Sequence, residues 1–347
     1  AGVSLASPAI AKQKKILRMV TTWPKNFPGM GTSAERLATR VNAMSGGSLH
    51  IAVSAAGELV PPFESFDAVS SGIVDMYHAW EYYWQSKTKA FAFFAAVPFG
   101  LNASEMNAWI NHGGGQRMWD ELSAGFNLKP FLAGNTGMQM GGWFNKEVSV
   151  PEDFKGLKIR MPGLGGDVLR RIGAAAVALP GGDVIPSLKS GDIDAAEWIG
   201  PWSDMDLGFH RVAKYYYYPG FHEPGTAIAA VMNRKVWEGL STEHKAIITA
   251  ATAAENGFTL DEFNARNSTA LDVLRNQHQV EMRKFSNEIL QAVGEAAGDV
   301  VAAAGASDSI SKKVYREFMD FRKKSIAWSR RSEQAFSNAR GLPFDYG

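Results

Sequence analysis

The chain has no cysteine. That excludes disulfides, thiolate metal centres and cysteine nucleophiles, and it is compatible with cytoplasm or periplasm alike. It has no charge of one sign to spare, since 36 basic and 35 acidic residues leave a net charge of +1. An interspersed, balanced charge offers no electrostatic case for nucleic acid or for an anionic membrane surface. The longest apolar run, residues 90–101, is too short to span a bilayer and carries a proline. Zinc spacing is missing as well. His50, His78, His112, His210, His222, His244 and His278 are scattered, and each reads as structural or exposed. There is no Gly-x-Ser-x-Gly elbow and no Gly-Lys-Ser/Thr phosphate loop. Gly163, Gly165 and Gly166 do not make a dinucleotide fingerprint, because Val168 stands where the third glycine is needed. Asp204 and Asp206 read as a helix cap and first turn rather than as a catalytic dyad.

What remains is 347 residues with 46% hydrophobic and 20% charged content, enough for two domains or one large core. Residues 1–11 are small and apolar, with a charged Lys-Gln-Lys-Lys directly behind them. They read as the end of a secretory signal, with Ala9-Ile10-Ala11 as the cleavage site and a mature chain beginning near Lys12. The hydrophobic periodicity then predicts a strand over 16–22 and a helix over 34–44 capped by Thr32 or Ser33. A strand over 49–53, a helix over 62–69 and a strand over 73–79 follow. This alternation is that of a parallel sheet covered by helices. Trp80-Glu81-Tyr82-Tyr83-Trp84 follows the third strand, where ligands gather in open α/β sheets. A second α/β unit runs from Pro151, with strands at 157–161, 176–179 and 195–198 and helices at 167–172 and 183–189.

The two units echo each other. Val69-Ser70-Ser71-Gly72 leads to Asp75, and Leu188-Lys189-Ser190-Gly191 leads to Asp194. Two units of like topology argue for two lobes. Residues 214–231 read as one long strand bent at Pro219-Gly220, returning from the second lobe to the first. A helix spans 241–276 without interruption, and Ser286 caps another. Residues 307–338 form a long amphipathic segment with Val314, Phe318, Phe321, Ile326 and Trp328 as apolar members.

The stretch 156–202 carries the chemistry. Arg160 falls at the carboxyl end of a strand, where a guanidinium can take a carboxylate in a two-pronged bond. Glu197 lies inside an apolar strand, so it needs a partner or a cation. Carboxylate and amide oxygens suit sodium or calcium, and Gln139 is the natural amide. A surface arginine and a simply hydrogen-bonded buried acid are the competing readings.

The run Gly156-Leu157-Lys158-Ile159-Arg160-Met161-Pro162-Gly163 resembles the signature of periplasmic substrate-binding proteins of TRAP (tripartite ATP-independent periplasmic) transporters. Gln139 to Phe144, Asp194 to Pro201 and Lys214 to Gly220 narrow the resemblance to the branch that binds 2-oxoacids, or lactate, with a metal ion. The resemblance implies a two-lobed α/β periplasmic binding protein fold. It has crossing hinge strands, a long helix over both lobes and an extra C-terminal helix. The lobes would be 12–137 with 226–257, and 138–225 with 258–305, leaving 306–347 for the C-terminal helix. Arg160 would grip the ligand carboxylate. Gln139, Glu197 and the Trp198 carbonyl would hold calcium or sodium, with Glu223 nearby and Tyr82 or Tyr83 closing the pocket. The partners implied are a small monocarboxylate, TRAP membrane subunits and a second copy joined through the C-terminal helix. One departure from the pattern is His222-Glu223-Pro224, which replaces an aromatic and a glycine around the acid. The rival reading is a metal-assisted lyase acting on small oxoacids, which would need a general base in the cleft.

Overall fold

The computed structural model describes residues 14–345; the expected signal remnant lies outside the described residues. In chain order the first half runs β1 (Lys15–Thr21), α1 (Gly31–Met44), β2 (Leu49–Ser54), α2 (Ser65–Ser71), β3 (Met76–Ala79), α3 (Ala103–His112), α4 (Gly115–Ala124), β4 (Leu128–Asn135) and β5 (Gly142–Phe144). It continues through β6 (Lys158–Arg160), α5 (Gly163–Arg171), β7 (Ala175–Val177), α6 (Gly181–Ser190), β8 (Ala195–Ala196), α7 (Pro201–Leu207) and β9 (Tyr215–Tyr218). The last part is β10 (Ala227–Asn233), α8 (Arg234–Glu238), α9 (Thr242–Asn276), β11 (Glu281–Lys284), α10 (Asn287–Ala306), α11 (Ser309–Ser329) and α12 (Glu333–Arg340).

The strands make two sheets. The first has the order β2-β1-β3-β10-β4, with β1 parallel to both neighbours and β10 antiparallel to β3 and β4. The second has the order β11-β9-β5-β8-β6-β7, with β6 parallel to β7 and β8, and β5 antiparallel to β8 and β9. The sequence echo has a structural cause. Helices α2 and α6 both stop at a left-handed glycine, Gly72 (φ 85°) and Gly191 (φ 79°), a conformation that costs glycine nothing. Asp75 then takes the amide of Arg18 at 2.7 Å, and Asp194 takes the amide of Lys158 at 3.1 Å. In each sheet an aspartate clasps the neighbouring strand just before its own strand begins.

Four expectations shift. The strand expected over 73–79 begins at Met76, because the amides of Ile73 and Val74 fold back on the Ala68 carbonyl and leave Ile73 63% exposed. Neither Thr32 nor Ser33 caps α1. The helix starts earlier, Thr32 Oγ1 accepts from the Gly29 amide, and Ser33 is buried against Thr259. The single long strand over 214–231 is two strands in different sheets. Pro219 has no N–H to give a ladder, the Gly220 amide donates to Gln139 O, and the Phe221 carbonyl accepts from Phe99. Residues 219–226 therefore cross between the sheets as an irregular segment, beside the other crossing at 136–141. The terminal amphipathic segment is two helices, α11 and α12, with Val314 and Phe318 buried and Trp328 70% exposed.

Helix α9 is the long member. Its 35 residues span about 50 Å at 1.5 Å per residue. Ser241 caps it by accepting the His244 amide. It packs on α1 and β4 at the first sheet and on α7 beyond the second. Buried Glu255 fixes the first contact, accepting from Arg36 at 2.8 Å and from Arg40 at 3.2 Å. The site lies between the two sheets, where the crossing segments meet.

Candidate functional site

Arg160 and Glu197 are neighbours because β6 and β8 are. In the parallel register Arg160 pairs with Ala196, and the Glu197 amide donates to the Arg160 carbonyl at 3.1 Å. Both side chains thus emerge at the carboxyl ends of adjacent strands, and both are fully buried. Arg160 Nη1 donates to the Glu197 carbonyl oxygen at 2.9 Å and to the Glu197 carboxylate. Its Nε donates to the Leu179 carbonyl at 3.3 Å. Nη2 has the longest contact, 3.5 Å to the Tyr83 hydroxyl. The guanidinium lies over the Trp198 ring, 4.8 Å from its centroid.

The other carboxylate oxygen of Glu197 meets His222 Nε2 at 2.9 Å. His222 and Glu223 come from the crossing segment 219–226, and Gln139 comes from the crossing at 136–141. Gln139 Nε2 donates to Glu223 Oε2 at 2.8 Å, to Thr226 Oγ1 at 3.0 Å and to Thr136 Oγ1 at 3.1 Å. With all its donor capacity spent on one side, the amide turns its oxygen the other way. Gln139 Oε1 is buried and without a partner. Buried polar atoms are normally satisfied, so a donor or a cation is called for at that position. Ligand atoms of Glu197, His222 and Glu223 lie within 4.8 Å of one another. Two carboxylates and an orphaned amide oxygen are the donor set of a hard cation, and the residues present fit one.

Charge is concentrated here. Burial works most strongly against the Arg160 guanidinium, yet Glu197, Tyr83, Tyr82 and Glu223 together hold its pKa above the ordinary value. Burial likewise disfavours His222 as a cation, but the charge and hydrogen bond of Glu197, with Glu223 adding, move the pKa up. Glu223 is pushed up to about 7 by burial first and by repulsion from Glu197 second. A bound cation would relieve that repulsion, as any nearby positive charge does.

The first sheet supplies aromatics. Tyr82 and Tyr83 lie on a single 3-10 turn, Glu81–Trp84, directly after β3. Tyr83 reaches Arg160, while Tyr82 packs on Gly163. Gly163 has φ 65°, and a Cβ there would lie 3.2 Å from Tyr82, so the close approach and the left-handed backbone both need glycine. Trp198 is enclosed from the same side by Trp80 at 5.7 Å and Phe27 at 5.9 Å, both edge-on.

All the residues expected at the site, Arg160, Gln139, Glu197, Trp198, Glu223, Tyr82 and Tyr83, fall in this one cluster, all of them buried except half-buried Tyr83. Arg160 and Glu197 touch each other directly, although the sequence reading gave them separate ligands. His222, Thr136 and Thr226 were missed. His222 read as structural or exposed, although its place beside Glu223 in the segment after Pro219-Gly220 was a signal for the site.

Residues 19–308 match the bacterial extracellular solute-binding protein family 7, DctP. The chain belongs to that family, whose members are the solute-binding proteins of TRAP transporters. Among curated relatives, the monocarboxylate 2-oxoacid-binding periplasmic protein of Nostoc sp. strain PCC 7120 is 42% identical over 321 residues, covering 92% of this chain and 88% of that protein. A TRAP solute-binding protein from Bordetella bronchiseptica, a mixed-occupancy dimer with copurified calcium and picolinate, superposes with a TM-score of 0.92 at 36% identity, covering 94% of this chain and 97% of that one. A TRAP solute-binding protein from Pseudoalteromonas atlantica with bound sodium and pyruvate gives 0.91 at 34% identity, covering 96% and 100%.

Proposed function

We propose that this protein captures a small 2-oxo or 2-hydroxy monocarboxylate, with pyruvate the simplest case, chelated to a sodium or calcium ion. It delivers the ligand in the periplasm to TRAP membrane subunits. The observation that carries this reading is the orphaned, buried Gln139 Oε1, on an amide that bonds Glu223, whose carboxylate is gathered with Glu197 and His222. Arginine alone would recognise a carboxylate. An amide oxygen and two acids next to it add a cation, and a cation favours a ligand with a second oxygen α to the carboxylate.

In this reading Arg160 takes the ligand carboxylate through the edge that faces Tyr83. Gln139, Glu197 and the Trp198 carbonyl hold the ion, Glu223 adds charge, and Tyr82 and Tyr83 close the pocket. The ion supplies charge for the ligand's α-oxygen. Because Arg160 is fully buried, entry requires the two halves to part. The parting lobes are 12–137 with 226–257, and 138–225 with 258–305. The exposed Trp328 and Phe336 support a role for residues 306–347 in pairing two copies.

Mass spectrometry of ligand released from the purified protein tests the ligand class. Calorimetry with pyruvate, with and without calcium or sodium, tests the coupling. A released ligand lacking a carboxylate, or pyruvate affinity indifferent to both ions, would overturn the reading. Turnover of pyruvate or oxaloacetate would instead favour a lyase.

A further inference from the structure

We propose that Phe99 and Arg322 are positioning residues for the binding segment 219–226, so that helix α11 sets how tightly the site holds its ligand. The proposal rests on the reading of His222 and Glu223 as site residues.

The Phe99 amide donates to the Phe221 carbonyl at 2.8 Å, and the two rings stack 5.8 Å apart with planes 21° from parallel. Phe221 immediately precedes His222, which bonds Glu197, and Glu223, which accepts from Gln139. Phe99 itself has φ 52°. A bulky aromatic side chain rarely adopts the left-handed region and stays there only when its surroundings hold it. Arg322 does the holding. Its Nε and Nη2 both donate to the Phe99 carbonyl, at 2.9 and 2.7 Å. A guanidinium fork spent on one main-chain oxygen is a brace on that peptide.

Arg322 is anchored in turn. On α11, Phe318 sits edge-on to Phe93 at 5.4 Å and to Trp109 at 5.1 Å. The contacts therefore run without a gap from α11 through Phe99 and Phe221 to His222 and Glu197. Phe221 lies outside the strands; the Gln139 backbone ties Gly220 and Glu223 on either side of it, and Phe99 supplies the main-chain anchor at Phe221 itself. Without Arg322, Phe99 is free to leave the left-handed region. Its amide then turns from Phe221, and His222 and Glu223 lose their preset positions. Affinity falls because the ordering has to be done on binding.

The test uses three variants of the full chain. Arg322→Ala removes the brace, and Arg322→Lys restores one donor. Glu317→Gln removes the 3.0 Å ion pair between α11 and Arg117 without touching Phe99. Pyruvate affinity is measured in saturating calcium, along with amide exchange of residues 219–226 in ligand-free protein. Arg322→Ala is expected to bind about tenfold more weakly and to exchange faster across 219–226. Arg322→Lys should recover part of both, and Glu317→Gln should match the wild type in both. Wild-type affinity or wild-type exchange across 219–226 in Arg322→Ala, or an equal loss in Glu317→Gln, overturns the proposal. If Arg322→Ala does not fold, Arg322→Lys takes its place, with intermediate exchange expected and wild-type exchange overturning it. If the wild type binds no 2-oxoacid, the functional reading fails, and the exchange measurement still decides the brace.

Discussion

Arg160 and Glu197 stand at the carboxyl ends of neighbouring parallel strands, and one arginine nitrogen meets both the main-chain and the side-chain oxygens of the glutamate. The pairing fixes the guanidinium plane before any ligand arrives. It also leaves the edge toward Tyr83 least engaged. The cost of burying two charges is offset by this mutual attraction and by the Leu179 carbonyl and His222 contacts.

Arg160→Lys keeps the charge and loses the fork. A single ammonium cannot serve the Leu179 carbonyl, both Glu197 oxygens and a ligand carboxylate together. Pyruvate affinity by calorimetry is expected to fall about a hundredfold or more, the equivalent of roughly 3 kcal/mol. Arg160→Ala should abolish binding and also destabilise the fold, since removing one partner of a buried pair costs about 3–5 kcal/mol. Unchanged affinity in the lysine variant would remove the fork from the recognition scheme.

Gln139→Leu deletes the orphaned oxygen and leaves Thr136, Glu223 and Thr226 without their shared donor. Ligand binding in this variant should no longer respond to sodium or calcium. Titration of affinity against each ion checks this. A response like that of the wild type would place the cation away from Gln139.

Glu81 gives the stability a pH dependence. It is buried beneath Tyr77 and Trp119, which donate to it at 3.0 and 2.9 Å. Burial, only partly countered by those two bonds, pushes its pKa up to about 7 from an ordinary 4.5. Between those values the native state holds a proton that the unfolded chain has lost. Stability from this group is therefore fully present below pH 4.5 and is lost as pH rises through 7. The loss is on the order of 3 kcal/mol. Melting curves should show a higher midpoint at acidic than at alkaline pH across this window. Glu81→Gln, which can keep both hydrogen bonds, should flatten that slope. A slope unaltered by the substitution would assign the effect to another group.

Gly163→Ala tests how the sheets meet. The left-handed backbone would cost alanine about 1–2 kcal/mol, and its methyl would press on Tyr82 at 3.2 Å. The expected result is a lower thermal midpoint and a smaller ligand-induced rise in it. An unchanged ligand-induced rise would separate the Tyr82 contact from closure.

Local elements were legible because their signals are local. Ser241 and Ser286 cap their helices as read, and the two Ser-Gly stops end α2 and α6 through left-handed glycines. The bend at Pro219-Gly220 was visible too, but its meaning was not. A break in strand propensity does not say whether a strand resumes in the same sheet or in another. That depends on which distant backbone groups are waiting, here those of Phe99 and Gln139. For the same reason Asp204 looked like an ordinary cap. It does accept the Ile199 and Gly200 amides, but it also gathers Trp143 from β5 and Tyr216 from β9.

The alternation of strands and helices, the two-unit repeat, the long helix and the charged and amide side chains of the candidate site are visible along the chain alone. Periodicity, capping and motif spacing act over a few residues, and these follow from them. That Arg160 and Glu197 meet, that His222 joins them, and that Gln139 presents an unpartnered oxygen come from the three-dimensional fold. Those outcomes depend on strand order and on two crossing segments converging from separate parts of the chain. A one-dimensional pattern carries the donors and acceptors but not which of them become neighbours.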